Sequence, residues 1–348
     1  MKAYVVLMVS CFTFIAMSCD RQDEFVNTRT TISETYQTER FIEDNIDSPA
    51  MWYGPHNEHW LIATAKEGNC LYVCHADNGT LLFKVGLNGN ISAEFKRPNG
   101  ISIIDDLLLV VERDNHRVQV FSLPEFMSLG MIGENDLILP YGLYVMHGDG
   151  VQQYVVYVTD NYLTVTGQIP PDNKLGKRIH QYTFSTVASG VSAKLVRTFG
   201  DTAGAGCLKV VESIFGDPVY KILLIAEEKP GETSVKVYTL DGKFTGVVVG
   251  ENLFKYQVEG IALYEKDRYD GYWVVTDQDL QDNRFQVFDR RTLFHRACFK
   301  GANTSNTDGI WISRQAFGPF SQGAMFAIHD DGNVSAFDWK TVLTVIGL

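Results

Sequence analysis

Residues 97–121 carry the pattern that decides the fold. They read Arg97-Pro-Asn-Gly-Ile-Ser-Ile-Ile-Asp-Asp-Leu-Leu-Leu-Val-Val-Glu-Arg-Asp-Asn-His-Arg-Val-Gln-Val-Phe121. The segment has a glycine near its start, then an apolar strand ending at Glu112-Arg113, then a strand ending in Phe121. Short apolar runs bounded by polar turn residues are typical of β-strands. The segment therefore predicts one antiparallel β-unit.

The same three signatures recur in the same order at intervals of about 50 residues. The final strand of each copy ends, in chain order, at Cys74, Phe121, Tyr182, Tyr238, Phe288 and Phe337. Six units of this length, with almost no helical periodicity, favour blades arranged around an axis. The sequence thus predicts an all-β six-bladed β-propeller of mostly four-stranded antiparallel blades, over residues 39–348.

The glycine signature predicts which side chains meet at the channel. In a propeller the first strand of each blade lines the central channel, and a glycine there lets the backbones crowd together. The copies are Asp47-Ser48-Pro49-Ala50, Asn99-Gly100, Tyr141-Gly142, Ala205-Gly206, Glu259-Gly260 and Asp308-Gly309. The second strands should end on the same face, at Lys66, Arg113, Asp160-Asn161, Glu227-Glu228, Asp277-Gln278 and His329-Asp330.

These residues predict a ring of carboxylates with one lysine and one arginine. Clustered carboxylates repel each other unless cations lie among them or they take up protons. Oxygen ligands in numbers favour Ca²⁺ over transition metals, and a lysine and an arginine beside them suit a phosphate. The alternative interpretation is a set of polar turns that belong on any propeller rim.

Composition restricts the function classes. The chain has 348 residues, of which 30 are Lys or Arg and 42 are Asp or Glu, for a formal net charge of −12. Nucleic-acid binding needs a basic face, so we expect no nucleic-acid partner. The apolar and charged fractions are those of a globular protein, which excludes disorder and coiled coil. For Cys70, Cys74, Cys207 and Cys298, one disulfide and four free thiols are equally compatible with the sequence.

The N-terminus resembles a targeting segment. Residues 1–18 have one lysine and then an apolar run, which is typical of a signal peptide. Ala16-Met17-Ser18-Cys19 resembles a bacterial lipobox, so we expect lipidation of Cys19, with ordinary signal cleavage as the alternative. Residues 19–38 then form a polar tether. This predicts a bacterial cell-envelope lipoprotein anchored to the outer membrane, on its periplasmic or surface face.

The ordered motifs resemble those of the β-propeller phytases, a family of calcium-dependent phosphomonoesterases with six blades. The similar segments are Asp47-Ser-Pro-Ala-Met-Trp52, Thr64-Ala65-Lys66, Arg113, Tyr141-Gly142, Ala226-Glu227-Glu228, Val258-Glu259-Gly260-Ile261 and Thr307-Asp308-Gly309-Ile310. Residues 97–121 also look like an NHL repeat. The resemblance implies a 3-phytase-like phosphoric monoester hydrolase that acts on phytate or a related phosphorylated small molecule. We also expect the protein to be a monomer.

The resemblance also implies roles for single residues. The expected Ca²⁺ ligands are Asp47, Asn99, Glu227, Glu228, Glu259, Asp308 and Asp330. The expected catalytic residues are Lys66, Arg113, Tyr141 and Glu227, and the expected substrate-binding residues are Lys66, Arg113, Tyr141 and Gln278.

Four departures from the family pattern keep other functions open. They fall at Ser48, Ser102, Asn161 and Ala205, where the family carries ligand or phosphate-binding residues. A propeller that has lost the reaction would bind a ligand or a cell-envelope partner at the same face. A propeller lactonase would hold one Ca²⁺ with Glu259, Asn99 and Asp308.

Overall fold

Six β-sheets surround one central axis in the computed structural model, which describes residues 30–87, 89, 93–187 and 190–348. Their innermost strands contact each other in cyclic order, and the sixth closes against the first. The predicted six-bladed β-propeller is therefore confirmed. The predicted signal peptide and Cys19 lie outside the described residues.

The strands alternate apolar and polar residues where one face is exposed, and are nearly all apolar where blades pack on both faces. In chain order they are β1 Thr30–Ile32, β2 Tyr36–Gln37, β3 Ile46–Tyr53, β4 His59–Ala65, β5 Cys70–His75, β6 Leu81–Gly86, β7 Pro98–Ile104, β8 Leu107–Glu112, β9 Arg117–Ser122, β10 Met127–Ile132, β11 Pro140–His147, β12 Gln153–Asp160, β13 Ile179–Val187, β14 Gly190–Phe199, β15 Ile214–Asp217, β16 Ile222–Glu227, β17 Ser234–Thr239, β18 Phe244–Val249, β19 Gln257–Glu265, β20 Gly271–Gln278, β21 Arg284–Asp289, β22 His295–Gly301, β23 Ile310–Ile312, β24 Ala324–His329 and β25 Asn333–Asp338.

Each blade is an antiparallel meander that starts at the channel and ends at the rim. Blades 1 to 5 consist of β3–β6, β7–β10, β11–β14, β15–β18 and β19–β22, and blade 6 contains β23–β25. We call the end of the propeller where the inner strands begin the mouth face, and the opposite end the far face. Because every second strand runs back toward the start of the first, its last residues also reach the mouth face.

The N-terminal segment closes the ring. Strand β2 pairs with β25 and supplies the fourth strand of blade 6, while β1 pairs in parallel with β22 at the edge of blade 5. The Tyr36 ring lies 6.1 Å from that of Phe320, and its hydroxyl donates to the Ala76 carbonyl of blade 1. The predicted tether over residues 19–38 is therefore shorter at its C-terminal end, since residues 30–38 lie in the propeller.

Replacing Tyr36 by alanine is expected to lower the free energy of unfolding by about 3 kcal/mol, because the ring packs between the first and last blades. The matched control is Gln37→Ala. Its exposed side chain donates to the Ser335 hydroxyl at 2.9 Å, and a single hydrogen bond at an exposed position should cost less than about 1 kcal/mol when it is lost. Urea unfolding of both variants measures the difference, and equal effects would contradict this role for Tyr36.

One α-helix, α1 (Trp339–Ile346), follows the last strand, although the sequence showed almost no helical periodicity. The Asp338 carboxylate accepts a hydrogen bond from the Thr341 backbone N–H at 3.1 Å and so caps its first turn. Gly347 ends it in the left-handed conformation. Trp339 is fully buried and packs against Tyr264, so this short helix covers part of the core of blades 5 and 6.

The four cysteines of the described residues are free thiols. Cys70, Cys74 and Cys207 are buried and Cys298 is half-buried, and burial raises the pKa of all four thiols. The structure therefore decides between the two alternatives in favour of unpaired cysteines. Among the helices of the described residues, none has the length and apolar character needed to cross a membrane.

Candidate functional site

The inner strands position one ring of side chains at the mouth face. Each glycine that follows a residue of this ring packs against the backbone of the next blade. It contacts the backbone carbonyl of the residue that comes just before the equivalent position in that blade. A Cβ at Gly100 would lie 2.6 Å from the backbone carbonyl oxygen of Tyr141, and one at Gly309 would lie 2.7 Å from the backbone carbonyl oxygen of Asp47. Only glycine permits such an approach. The residues before the six matching positions are Asp47, Asn99, Tyr141, Glu212, Glu259 and Asp308.

Glu212 is the member of this ring that sequence reasoning missed. The sequence placed the blade 4 signature at Ala205-Gly206, but those residues lie in a turn before the blade, and β15 begins at Ile214. A Cβ at Gly142 would lie 2.1 Å from the backbone carbonyl oxygen of Glu212, which identifies Glu212 as the ring residue of blade 4. A sequence signal for Glu212 does exist. The segment Val211-Glu-Ser-Ile214 repeats Val258-Glu-Gly-Ile261 with serine in place of glycine.

The acids that end the second strands have a structural role behind the mouth. Asp160 accepts hydrogen bonds from the Ile138 and Leu139 backbone N–H groups, both at 2.8 Å. Glu227 accepts them from Lys209 at 2.6 Å and Val210 at 3.0 Å. In each case the carboxylate fixes the loop that leads into the inner strand of its own blade, and Asp277 does the same in blade 5.

Glu227, predicted as a catalytic residue and a metal ligand, is therefore placed outside the mouth. It is fully buried, and it forms an ion pair with Lys236 at 3.3 Å in addition to its backbone bonds. The residues that follow the structural acids extend toward the channel instead. They are Arg113, which follows Glu112 and donates to Tyr141, Glu228, whose carboxylate lies beside those of Glu212 and Glu259, and Gln278, which donates to Asp308. Lys66 holds the same position in blade 1.

Three carboxylates converge at the mouth. One oxygen each of Glu212, Glu228 and Glu259 lies within 4.8 Å of the others. Glu228 is 2% exposed, and its Oε1 accepts from the Ser213 backbone N–H at 3.3 Å. Its Oε2 has no hydrogen-bond partner among the described residues. The Glu259 carboxylate accepts from Gln257 Nε2 at 2.6 Å. We call these three residues the glutamate cluster.

Burial and mutual repulsion change the protonation of the glutamate cluster. Burial raises the pKa of Glu212 from an ordinary 4.5 to about 8, and the Asp47 and Asp308 charges add to the increase. Burial also raises the pKa of Glu228 and Glu259 well above the usual range, with the neighbouring carboxylates as the second cause. Deprotonated, the cluster needs a cation among its oxygens.

A lysine bridges two aspartates beside the glutamate cluster. Lys66 Nζ lies 2.6 Å from Asp47 Oδ1 and 3.3 Å from Asp308 Oδ2. Burial alone would lower the pKa of this ammonium, but Asp47 and Asp308 together raise it well above its usual value. Burial raises the pKa of Asp308 to about 7, which Lys66 partly opposes. Gln278 Nε2 donates to the other oxygen of Asp308.

Asp331 rather than Asp330 joins this group. Asp330, predicted as a metal ligand, forms an ion pair with Arg40 away from the channel. Asp331 instead hydrogen-bonds Asp308, and burial together with the charge of Asp47 raises the pKa of Asp331. Both residues have positive φ angles, so the turn separates the directions of two consecutive acids.

Arg113 and Tyr141 form a second polar pair at the mouth. Arg113 Nη1 donates to the Tyr141 hydroxyl at 3.2 Å, and the guanidinium carbon lies 5.8 Å from the centre of the Tyr141 ring. Asp114 accepts from Arg113 Nε at 2.7 Å. Among the predicted site residues, the structure thus brings together Lys66, Arg113, Tyr141, Gln278, Asp47, Glu228, Glu259 and Asp308.

The donor set fits a hard divalent cation. The glutamate cluster offers only oxygen atoms, which Ca²⁺ prefers. Asn99, on the same ring, is 2% exposed, and its Oδ1 also has no hydrogen-bond partner among the described residues. Buried oxygens without a donor are rare in folded proteins and are satisfied by water or an ion. Glu228 Oε2 and Asn99 Oδ1 are two such atoms at one channel mouth.

Fold and site together define a six-bladed β-propeller with an acidic channel mouth. Residues 95–121 match the NHL repeat family, which agrees with the repeat-like segment of blade 2. The hydrazine synthase of Kuenenia stuttgartiensis is structurally similar, with a TM-score of 0.51 and 11% sequence identity over 83% of each chain. At that identity the similarity concerns the fold alone. No curated protein sequence matches the chain.

The raised pKa values predict how stability depends on pH. The unfolded chain releases the Glu212 and Asp308 protons near pH 4, whereas the folded chain keeps them until about pH 7 to 8. Stability without metal should therefore fall between about pH 5 and pH 8, because the unfolded state binds fewer protons. Calorimetry should show a falling Tm in chelator, and the fall should be smaller in Glu212→Gln.

Added Ca²⁺ should raise the Tm by several degrees more at pH 8 than at pH 6, because protons compete for the same carboxylates. Equal shifts at both pH values would contradict a cation site made of these groups.

Proposed function

We propose that this chain is a Ca²⁺-dependent phosphomonoester hydrolase with its active site at the channel mouth. The observation that carries the proposal is the convergence of Glu212, Glu228 and Glu259, with an unpartnered buried oxygen on Glu228, beside Lys66 and Arg113. A cation site next to two cationic side chains suits a phosphate, which binds metal ions and charged donors together.

Each residue of the mouth has a distinct part in this proposal. The glutamate cluster would hold the Ca²⁺, with Asn99 Oδ1 available as a further ligand. When bound, the ion offsets the negative charge that develops on the phosphoryl oxygens. Gln278 holds Asp308 in place through its amide hydrogen bond. Ser48 Oγ donates to Asp47 Oδ2 at 2.9 Å and so fixes the second aspartate.

Lys66 and Arg113 would hold the phosphate. The Lys66 ammonium has three N–H donors, and two of them point to Asp47 and Asp308. Since these are its ion-pair partners within the described residues, the third N–H would be available to a phosphate oxygen with both ion pairs intact. The Arg113 guanidinium has five N–H donors, and hydrogen bonds within the described residues engage two of them, one with Asp114 and one with the Tyr141 hydroxyl. Both cations are thus fixed in place before a substrate arrives, which lowers the cost of binding it.

The assignment of Glu212 supports the resemblance to the β-propeller phytases. The blade 4 position that the sequence pattern assigned to Ala205 is held by the acid Glu212, so one of the four departures is removed. Three remain, at Ser48, Ser102 and Asn161. Asn161 is buried, and its Oδ1 has no hydrogen-bond partner in the described part of the chain. It supplies an oxygen at the position of a charged residue, so we propose a changed substrate preference rather than a lost reaction.

A propeller lactonase is the second candidate. The three ligands that it would need, Glu259, Asn99 and Asp308, belong to the same ring, and the Asn99 oxygen is unpartnered within the described residues. Opening of a lactone without phosphate release from any monoester would select this function.

The test is phosphate release by the full chain, in Ca²⁺ and in EDTA, from phytate and from 4-nitrophenyl phosphate. We expect release from at least one of them that requires Ca²⁺ and is abolished in Glu259→Gln. The matched control is Glu134→Gln, an exposed acid after β10 and outside the ring. Release that persists in EDTA, or none at all despite a Ca²⁺-dependent Tm shift, would reject the proposal.

We also propose that Cys19 carries a lipid that anchors the protein to the bacterial outer membrane. The sequence Ala16-Met-Ser-Cys19 supports this. Mass spectrometry of the membrane-extracted protein should show a diacylglyceryl adduct that is missing in Cys19→Ala. An unmodified chain released to the medium would reject the anchor.

A further inference from the structure

A groove runs outward from the glutamate cluster between blades 4 and 5. It encloses about 660 Å³, and Glu228 forms its inner end. The outer wall comes from the loop after β16 and from the segment between β18 and β19. Gln257, which donates to Glu259, also belongs to the groove, so the groove and the mouth share residues. A substrate bound by its phosphate at the mouth could therefore place its alcohol part in this groove.

The charges of the groove are unfavourable for a second phosphate. Its two lysines are already paired: Lys236 with Glu227 at 3.3 Å, and Lys255 with the Tyr256 hydroxyl at 2.7 Å and Asp282 at 3.8 Å. Glu251 is exposed in the wall, and Glu228 lies at the inner end. Glu232 also lines the groove and is paired with Lys209 and Lys229. The described lining thus has three acids and two lysines, of which Lys236 is buried in its ion pair and Lys255 is largely exposed.

The rest of the lining suits hydroxyl groups. Thr233, Ser234 and Asn252 present short hydroxyl and amide side chains along the groove. The ring of Tyr256, partly exposed, offers an apolar surface beside them. Phe254 adds a second aromatic ring to the lining. Hydroxyls and amides next to aromatic rings are the groups that pair with the hydroxyls and the apolar face of a sugar.

We propose that the groove between blades 4 and 5 binds the alcohol part of the substrate, and that the substrate is a monophosphate of an uncharged, hydroxyl-rich alcohol such as a sugar. This inference rests on the proposed phosphomonoesterase function and narrows it. A polyphosphate such as phytate would bring further anions into a groove whose lining includes Glu228, Glu232 and Glu251, and repulsion between like charges would oppose its binding. The mouth then selects the phosphate, and the groove selects the alcohol.

The experiment compares kcat/KM of the full chain for glucose 1-phosphate, fructose 1,6-bisphosphate and phytate in Ca²⁺. We expect glucose 1-phosphate to exceed phytate by at least about tenfold, which corresponds to about 1.4 kcal/mol. In Glu251→Lys the ratio of bisphosphate to monophosphate should rise about tenfold, since one anionic wall residue becomes cationic. In Glu134→Lys, the same charge change outside the groove, the ratio should stay as in the unmodified chain.

The outcomes are distinguishable. A phytate preference, or a ratio that Glu251→Lys leaves unchanged, would overturn the groove assignment while the phosphomonoesterase function stands. Absence of phosphate release from all three compounds would reject that function and this inference with it. Binding gives a separate readout, because glucose 1-phosphate with Ca²⁺ should raise the Tm of the unmodified chain more than that of Ser234→Leu.

Discussion

Replacing Lys66 by methionine is expected to lower kcat for phosphate release by about 10²- to 10³-fold. Lys66 carries the ammonium closest to the two aspartates of the mouth, with one N–H left for a phosphate oxygen. Methionine keeps most of the side-chain length and volume but removes the charge that stabilises the phosphoryl oxygens. Initial rates with saturating Ca²⁺ and 4-nitrophenyl phosphate measure the effect.

Lys177→Met is the matched control for Lys66→Met. Lys177 is exposed in the loop that follows β12, so its loss should leave kcat within about twofold. Stability gives a second readout, because Asp47 and Asp308 lose their shared counter-ion in Lys66→Met. The Ca²⁺-induced rise in Tm should therefore be larger in Lys66→Met than in the unmodified chain. Full activity in Lys66→Met would remove Lys66 from the phosphate site.

Replacing Asp217 by alanine is expected to lower the free energy of unfolding by about 3–5 kcal/mol. Its carboxylate accepts from Arg290 Nε at 2.6 Å and from Nη2 at 3.0 Å, and both side chains are fully buried between blades 4 and 5. Without Asp217, the buried guanidinium keeps Glu265, the Asp267 carbonyl and, at 5.8 Å, the Tyr220 ring as its partners among the described residues, and it loses the carboxylate that binds two of its N–H groups. Urea unfolding at neutral pH measures the loss.

Glu67→Ala is the matched control for Asp217→Ala. The Glu67 side chain is 55% exposed and pairs with Arg97 on the surface, where water and salt weaken an ion pair. We expect a much smaller loss than for Asp217→Ala. Asp217 ends β15 on the far face, so phosphate release per folded molecule should be unchanged. A loss for Asp217→Ala no larger than that for Glu67→Ala would contradict the proposed role of the buried pair.

The repeats could be found from the sequence because each blade carries its own local pattern. Asn99, Tyr141, Glu259 and Asp308 were predicted as ring residues because a glycine follows each of them. That glycine is required only where the next blade's backbone approaches most closely. A search for a polar residue followed by glycine does not find Glu212, because Ser213 occupies the glycine position in blade 4, as Ser48 does in blade 1. A search that allowed any small residue would have found Glu212.

The sequence does not show which member of a pair of adjacent acids reaches the mouth. Glu227 and Glu228 are consecutive, so in an extended strand they point to opposite sides. One of them must bond the backbone of its own blade while the other reaches the channel, and sequence patterns do not say which. Asp330 and Asp331 present the same problem in a turn with positive φ angles. Only the register of the strands and turns assigns Glu228 and Asp331 to the mouth.

No local sequence pattern predicts that the N-terminal strands close the ring of blades. Tyr36 pairs with Ala336, about 300 residues later in the chain, and two short strands in a polar stretch look like a tether. Helix α1 is also short, and its apolar residues continue the pattern of the preceding strand. Both features depend on contacts between distant parts of the chain, which periodicity and composition do not report.

The most direct test of the account is a calorimetric titration of the full chain with Ca²⁺ at pH 8, beside Glu228→Gln. The account predicts saturable binding to the unmodified chain, with proton release, and an affinity at least about tenfold lower in Glu228→Gln. Equal affinities for the two chains, or no binding by either, would show that the glutamate cluster holds no Ca²⁺. That result would contradict the proposed Ca²⁺-dependent function.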